Sequence, residues 1–325
     1  MKSIESAFQS DLAPWLRDFV LEKRAVGYFY VTEQYLLQRL DRHLIEHGHD
    51  QATLPRSLLT TWLARTAHES VKTQSARVRV LRQLARFLHR HAVVVELPPS
   101  LPCASPGARF VARIFTPDEI GRLLAAADRM PPDTRSPQRH RVMSALFRVL
   151  YGCGLRLGEA LRLRVEDVDL TAGVLTIHEA KFRKERLVPM SASLSAYLQR
   201  YHEEMGERPS DAIFFAAPHG SIYSAHTPYA VFRRMLRAAM IPHGGRGQGP
   251  RVHDLRHTFA VRRLEAWYRE GADLSSKLPV LSTYLGHESI AGTQRYLQLT
   301  VSLHPDLSSL LERQYGPLIP RGERA

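Results

Sequence analysis

Four short segments in the second half of the chain contain the residues best suited to chemistry. Two arginines, a lysine, three histidines, a glutamate and a tyrosine stand in GLRLGEAL (Arg156, Glu159), KFRKERLVP (Lys181), HDLRHTFA (His253, Arg256, His257) and LGHESIAGTQRY (His287, Tyr296). Planar guanidinium groups suit the oxygens of a phosphate, and a phenol is a nucleophile once it loses its proton. The set therefore points to phosphoryl transfer.

Each segment alone has an ordinary interpretation. An Arg–Glu pair three residues apart is usually a helix surface pair, and a turn rich in lysine and arginine is usually just exposed. A metal site at His253 and His257 is disfavoured, because Arg256 would stand among the ligands and repel a cation. It is the ordered combination that is specific.

In order and spacing, the four segments resemble the tyrosine recombinases of the phage integrase family, from about residue 5 to residue 310. The resemblance implies that six residues are catalytic: Arg156, Lys181, His253, Arg256, His287 and Tyr296. It also implies that Glu159 and His257 support the arginine and the histidine. Phe182 departs from the glycine common after the lysine, so Lys184 is an alternative to Lys181, and Gly292 stands where a hydroxyl residue is common.

The implied reaction is attack of Tyr296 on a DNA phosphodiester, which gives a 3′-phosphotyrosyl link and a free 5′-hydroxyl. Arg156, Arg256 and His287 would stabilise the phosphate oxygens. His253 is the expected base for Tyr296, since a free phenol has a pKa near 10, and Lys181 is the expected acid for the leaving oxygen. We expect no cofactor, metal ion or ATP.

Helical spacing of apolar residues dominates the elements that must position these groups. The predicted fold class is mainly α with a small β-sheet: a helical core-binding (DNA-binding) domain over 1–96, a linker rich in proline over 97–110, and an α+β catalytic domain over 111–325 with a C-terminal docking segment. Predicted helices cover 56–67, 71–92, 139–151, 157–163, 191–203, 227–240, 253–269 and 278–285. Thr32 and Thr116 are predicted helix caps, and 173–178 with 185–189 predict a hairpin.

The helix predicted over 71–92 has an apolar face and a basic face. Leu81, Leu84 and Leu88 share one side, and the opposite side carries Arg79, Arg82, Arg86 and Arg90, with no acidic residue in the segment. A solvated face usually mixes both signs of charge. We therefore expect these arginines to contact the DNA backbone.

Composition agrees with a polyanionic partner. The 325 residues include 45 Lys and Arg against 32 Asp and Glu, which gives a net charge of +13, and a field of this sign commonly indicates nucleic acid. No apolar run suits a membrane span or a signal peptide, so we expect a cytoplasmic, nucleoid-associated protein without membrane contact. Cys103 and Cys153 are expected to be free thiols, the loop 242–250 to be flexible, and a zinc site at His43, His47 and His49 is disfavoured.

The expected partner is double-stranded DNA with specific core sites, bound by a homotetramer or a dimer of dimers. Residues 304–315, with Leu307, Leu310 and Leu311, predict a docking helix that packs either in its own subunit or in a neighbour. Since helices begin within the first dozen residues, little room is left for the arm-binding domain of some phage integrases, which favours a simpler recombinase or a mobile-element transposase. The expected role is integration or transposition of a mobile element. The alternatives are a catalytically silent DNA-binding regulator of the same fold and a type IB topoisomerase.

Overall fold

Apolar residues at helical spacing build two separate cores. The computed structural model describes residues 6–67, 69–98, 112–178, 185–245, 249–287 and 289–297, and these divide into two units at residues 110 and 111. Each unit has its own buried cluster of leucine and phenylalanine side chains. The units are described separately below.

The described residues of unit 1 form four α-helices: α1 (Ala13–Ala25), α2 (Val31–Glu46), α3 (Arg56–Leu63) and α4 (Val71–Arg90). The apolar face predicted for α4 is buried, with Leu81, Leu84 and Leu88 fully covered. Helix α2 begins at Val31 without a side-chain cap, so the cap predicted at Thr32 is wrong.

Helix α3 ends four residues before the predicted position because a buried arginine takes its terminal carbonyl groups. The guanidinium of Arg77 donates to the carbonyl oxygens of Trp62 and Ala64, which a helix end leaves without amide partners. Glu69 pairs with the same guanidinium. Arg77 is thus a structural residue of α4 rather than part of its exposed basic face.

Unit 2 contains the remaining elements. They are α5 (Pro117–Asp128), α6 (Arg139–Gly152), α7 (Leu157–Ala160), β1 (Val168–Asp169), β2 (Val174–His178), β3 (Glu185–Pro189), α8 (Ala192–Met205), α9 (His226–Ala238), α10 (His253–Arg269), α11 (Leu274–Leu285) and α12 (Ala291–Gln294). The capping box predicted at Thr116 is present, with Glu119 at its third position. The predicted class, mainly α with a small sheet, is confirmed.

The sheet is antiparallel in the order β1-β2-β3. The predicted hairpin forms β2 and β3, with His178 opposite Glu185 at the end next to the connecting residues, whereas β1 was not predicted. Residues 179–184, which join the two strands, lie outside the described part of the chain.

Two helices of unit 2 differ from their predicted bounds by more than two residues. Helix α11 starts at Leu274 instead of 278, because Asp273 accepts from the amides of Ser275 and Ser276 and Pro279 is tolerated one turn inside. Helix α7 ends after a single turn at Ala160. Helices α10 and α11 pack together around a third apolar cluster, which includes the ring of Tyr296.

Candidate active site

Arg156 lies at the start of α7 and is held by the glutamate predicted to support it. Its Nη1 donates to Oε1 of Glu159 at 2.6 Å, and its backbone amide donates to Oε2 at 2.9 Å. Glu159 is buried, which alone would raise its pKa, but hydrogen bonds and charge from Arg186 and Arg156 hold that pKa below its usual value. An ionised carboxylate thus fixes one side of the Arg156 guanidinium.

Arg256 lies in the first turns of α10 and is 1% exposed. Its Nη1 donates to the carbonyl oxygen of Gly154 at 2.8 Å and its Nη2 to that of Leu285 at 2.6 Å. Burial and the charge of Arg156 lower its pKa to about 10, so it remains protonated at neutral pH. Two guanidinium groups therefore lie close together, that of Arg256 buried and that of Arg156 partly open to solvent.

The C-terminal end of α11 joins the two arginines. Arg256 donates to the carbonyl of Leu285, and Nη2 of Arg156 donates to that of Gly286 at 2.6 Å. Carbonyl groups at a helix end carry partial negative charge, so they attract cations. His287 follows directly and is placed beside both guanidinium groups.

Gly154 is required by its position next to these guanidinium groups. Its φ is +60°, and a Cβ there would lie 2.5 Å from Cδ1 of Phe259. A side chain would therefore strain the backbone and push α10 away. The glycine lets the Gly154 carbonyl reach Arg256.

Tyr296 follows α12, and its ring is 3% exposed. Its hydroxyl lies 3.1 Å from Nδ1 of His257. Burial raises the pKa of the phenol, while a hydrogen bond and charge from Arg256 act in the opposite direction. The structure thus brings Tyr296 together with Arg256 and the imidazole groups.

The three histidines are neutral at pH 7. Burial first, and the neighbouring charges second, lower the pKa of His253 to about 4, of His257 to about 3 and of His287 to about 4. The rings of His253 and His257 are 4.6 Å apart, and that of His287 stacks on Tyr296 at 6.0 Å. A neutral imidazole can accept a proton, so each ring is in the form that a base requires.

One assignment from the sequence differs from this geometry. His253 was the expected base, but the imidazole that contacts the Tyr296 hydroxyl is that of His257, expected only to support. The helix period puts both imidazoles on one face of α10 with their rings 4.6 Å apart, and His257, one turn farther along the helix axis, is the one level with the Tyr296 hydroxyl. Contact with His257 is therefore a feature of the DNA-free site.

Lys181 and its alternative Lys184 lie outside the described residues, as do Cys103, the segment 304–315 and all of the predicted linker 97–110 except its first two residues. The structure describes the strands on either side of the lysines, which end at His178 and begin at Glu185. Five of the six predicted catalytic residues are therefore brought together, and the position of the lysine stays a prediction.

Sequence reasoning did not single out two residues that support the site. Arg186 on β3 donates to Oε2 of Glu159 at 2.8 Å and to the carbonyl of Tyr284 at 3.0 Å. Oγ1 of the buried Thr293 lies 2.7 Å from Nδ1 of His287. Gly292 stands where a hydroxyl residue is common, and the next residue, Thr293, supplies a hydroxyl to His287 instead. The presence of a threonine next to Gly292 was the sequence feature that could have indicated this contact.

Two helices carry exposed basic faces. On α4 the predicted residues Arg79, Arg82, Arg86 and Arg90 are all exposed, but Arg90 donates to Glu22 of α1 at 2.8 Å and is therefore neutralised locally. Helix α9, not singled out from the sequence, exposes Arg233, Arg234 and Arg237 and contains no acidic residue. Within the described residues, none of those three forms an ion pair.

The other candidates have structural contacts. His43, His47 and His49 each bond a backbone carbonyl, of Leu58, His43 and Thr53 respectively. Across the described ranges no three His, Cys, Asp or Glu side chains cluster as metal ligands would. Cys153 is a buried free thiol. No helix among the described residues combines the length and apolarity needed to cross a bilayer.

A buried arginine beside a partly exposed one, three neutral imidazoles and a phenol define a phosphoryl-transfer type of site, and comparison with known proteins identifies its family. Residues 113–302 match the model of the phage integrase family. A putative integrase/recombinase, y4rB, of Sinorhizobium fredii (strain NBRC 101917 / NGR234) is 34% identical over 317 residues, covering 92% of this chain and 96% of that protein. The chain belongs to the phage integrase family, as an enzyme of the tyrosine-type site-specific recombinases.

Further similarities agree with this placement. Tyrosine recombinase XerD of Rhizobium meliloti (strain 1021) is 29% identical, over 73% of this chain and 74% of that protein. The fold is similar to that of XerH recombinase bound to a difH substrate, with a TM-score of 0.64, 16% identity and coverage of 95% and 91%. The Tn1549 transposon integrase has a TM-score of 0.62, 18% identity and coverage of 87% and 94%.

Proposed function

We propose that this chain recombines DNA at specific sites by cutting and rejoining strands through a 3′-phosphotyrosyl intermediate on Tyr296. One observation carries the proposal. The Tyr296 hydroxyl contacts both a neutral imidazole, that of His257, and the buried guanidinium of Arg256. A phenol placed between a proton acceptor and a fixed cation is prepared to act as a nucleophile.

In the proposed step, Oη of Tyr296 attacks phosphorus in line with the bond to the 5′-oxygen, which breaks. The phenol proton passes to an imidazole, His257 by contact and His253 as the next ring. Lys181, or Lys184 in its place, gives a proton to the departing 5′-oxygen. Arg156 and Arg256 stabilise the charge that spreads over the nonbridging oxygens, and His287 donates to the same oxygens.

Incoming DNA would itself prepare these groups. Positive charge from the arginines contributes to the low pKa values of His253 and His287. A phosphate bound between Arg156 and Arg256 offsets that charge, so the histidine pKa values rise toward neutrality and proton acceptance becomes easier. The site is therefore expected to become a better base when occupied.

We propose that neither a metal ion nor ATP takes part. The arginines supply the positive charge that metal ions provide in many nucleases. A phosphotyrosyl diester replaces a phosphodiester, and attack by a 5′-hydroxyl on it restores the original bond type. Rejoining then needs no outside energy source.

The proposed partner is double-stranded DNA containing specific core sites. Exposed arginines on α4 and on α9 provide cationic faces suited to phosphate. Proteins of similar fold have been solved on DNA, including a lambda integrase dimer bound to a core site. We propose assembly as a homotetramer or dimer of dimers on DNA, with residues 304–315 as the docking segment, and association with the nucleoid.

Integration or transposition of a mobile element is the biological role we propose. The similar protein of Sinorhizobium fredii is a putative integrase/recombinase, and a transposon integrase has a similar fold. Covalent capture of DNA in cells, followed by sequencing of the trapped ends, would identify the element. Capture at a chromosomal dimer-resolution site would contradict this role.

Adduct formation on a nicked target tests the chemistry. The unaltered chain should form a covalent protein–DNA adduct that survives denaturation, and Tyr296→Phe should form none, because only the nucleophilic oxygen is removed. Tyr284→Phe is a matched control, since that hydroxyl bonds the Pro189 carbonyl away from the site. Adduct from Tyr296→Phe would contradict the proposal.

The same assay separates the alternatives. A silent DNA-binding regulator would bind the target and give no adduct with any variant. A type IB topoisomerase would relax supercoiled DNA of any sequence, whereas a recombinase exchanges strands only between matched core sites.

A further inference from the structure

His178, the last residue of β2, lies between two carboxylates. Its Nε2 is 2.7 Å from Oδ1 of Asp167 and its Nδ1 is 2.8 Å from Oε1 of Glu185. Asp167 belongs to the turn before β1, and Glu185 is the first residue of β3 and the cross-strand partner of His178. One ring therefore ties three elements together.

This arrangement requires a charged ring. A neutral imidazole has a single N–H, so it can donate to one carboxylate but would turn a lone pair toward the other. Only the imidazolium form donates to both. The hydrogen bond to Asp167 and, after it, that to Glu185 raise the pKa of His178 above its ordinary value.

The contact between His178 and Glu185 lies at the two strand ends that flank the predicted general acid. His178 and Glu185 are the residues on either side of 179–184, the segment that contains Lys181 and Lys184. We propose that protonated His178 is a positioning residue for the general acid: it fixes the two strand ends from which the lysine must reach the leaving 5′-oxygen. This inference rests on the proposed function.

The raised pKa of His178 sets the direction of the pH dependence. The ring contacts both carboxylates below that pKa and loses one of them as the pH rises through it, in a window that begins above about 6.5. The His178 ring borders a cavity that Glu159, Arg162 and Arg164 also line. The charged groups in direct contact with the ring are Asp167 and Glu185. A loosened strand end misplaces the lysine, and misplacement by about 1 Å can reduce a rate about 100-fold.

Paired substrates isolate the acid step. A 5′-phosphorothiolate target releases a thiolate that needs no proton, so its cleavage does not depend on Lys181. For the unaltered chain, the ratio of ordinary to thiolate cleavage should fall about 10- to 100-fold as the pH rises through this window. His178→Gln should show a low ratio that does not change there, while its thiolate cleavage stays normal.

A charge variant with a matched control sharpens the test. Glu185→Gln should move the fall in the cleavage ratio to lower pH. It should also lower the midpoint of the His178 titration measured by NMR in the DNA-free chain. Glu166→Gln removes the same charge from an exposed neighbour of Asp167 and should change neither. An NMR midpoint at or below 6.5, or an unchanged pH step in His178→Gln, would overturn the inference.

Two further outcomes distinguish this inference from the proposed function. Cleavage of both substrates with a ratio independent of pH in the unaltered chain would reject the role of His178 and leave the proposed function standing. Cleavage of neither substrate would reject the proposed function and the role of His178 with it.

Discussion

The arginines near Tyr296 and those on α4 face opposite environments. Arg256 is almost fully buried and donates to two main-chain carbonyls. Arg79, Arg82 and Arg86 project from α4 into solvent. The first group is fixed before any ligand arrives, whereas each member of the second must lose side-chain freedom when it binds.

This difference separates catalysis from affinity. A fixed guanidinium costs no reorganisation during the reaction, so it stabilises the transition state strongly. Exposed arginines contribute mainly through release of counterions from DNA, an additive effect that salt weakens. We expect changes near Tyr296 to act on the rate, and changes on α4 to act on binding in small, salt-dependent steps.

The largest expected effect is that of Arg256→Lys. Lysine keeps the charge but loses the planar fork, so it cannot bond Gly154, Leu285 and a phosphate oxygen together. We expect adduct formation to fall by about 100- to 1000-fold, with DNA affinity changed less than threefold. Single-turnover cleavage and a binding isotherm on the same target measure the two quantities.

Arg263→Lys provides the control, because Arg263 lies on the same helix over the ring of Trp267, away from Tyr296. It should keep nearly full cleavage. Equal losses of cleavage and affinity in Arg256→Lys would show that this guanidinium acts in binding and would remove the contrast between the two regions.

The sequence predicted the reactive groups better than it predicted their contacts. Arg156, His253 and Tyr296 were singled out because the order of four short segments resembles a known family, and that order is visible in one dimension. That the Tyr296 hydroxyl meets His257 depends on how α10 and α12 pack, which no local pattern records. Elements with a strong local signal, such as the capping box at Thr116, were likewise predicted correctly.

Errors occurred where a distant side chain decides a local outcome. Helix α3 stops at Leu63 because Arg77, fourteen residues farther along, bonds its terminal carbonyls. Arg90 was assigned to a basic face from a segment that itself contains no acidic residue, and its ion pair with Glu22 of another helix could not be seen there. Tertiary contacts of this kind override helix periodicity and charge pattern.

A smaller effect distinguishes the two histidines of α10. His257→Gln removes the ring in contact with the phenol, and we expect adduct formation to fall about 100-fold, at the lower end of the usual range for a base, since His253 lies close enough to substitute in part. His253→Gln should reduce it less on the ordinary substrate. Rates measured from pH 5 to 9 compare the two variants.

Rescue by added imidazole provides a check on this order. A small base should restore cleavage by His257→Gln if the missing group accepts a proton, but it should not restore Arg256→Lys. If His253→Gln had the larger loss and the larger rescue, the ring in contact with Tyr296 in the DNA-free site would not be the base during cleavage.

The smallest effects are expected on α4, where the two regions contrast most directly. Arg86→Gln should weaken binding to all DNA sequences alike and reduce the slope of log affinity against log salt by about 1, the loss of one phosphate contact.

Arg90→Gln should reduce the slope less, because its charge is already shared with Glu22. Glu22→Gln should increase the slope, since it releases Arg90 for phosphate. Fluorescence anisotropy between about 50 and 200 mM salt covers the useful range. Identical slopes for Arg86→Gln and the unaltered chain, or an altered sequence preference without a change of slope, would show that α4 does not bind the DNA backbone.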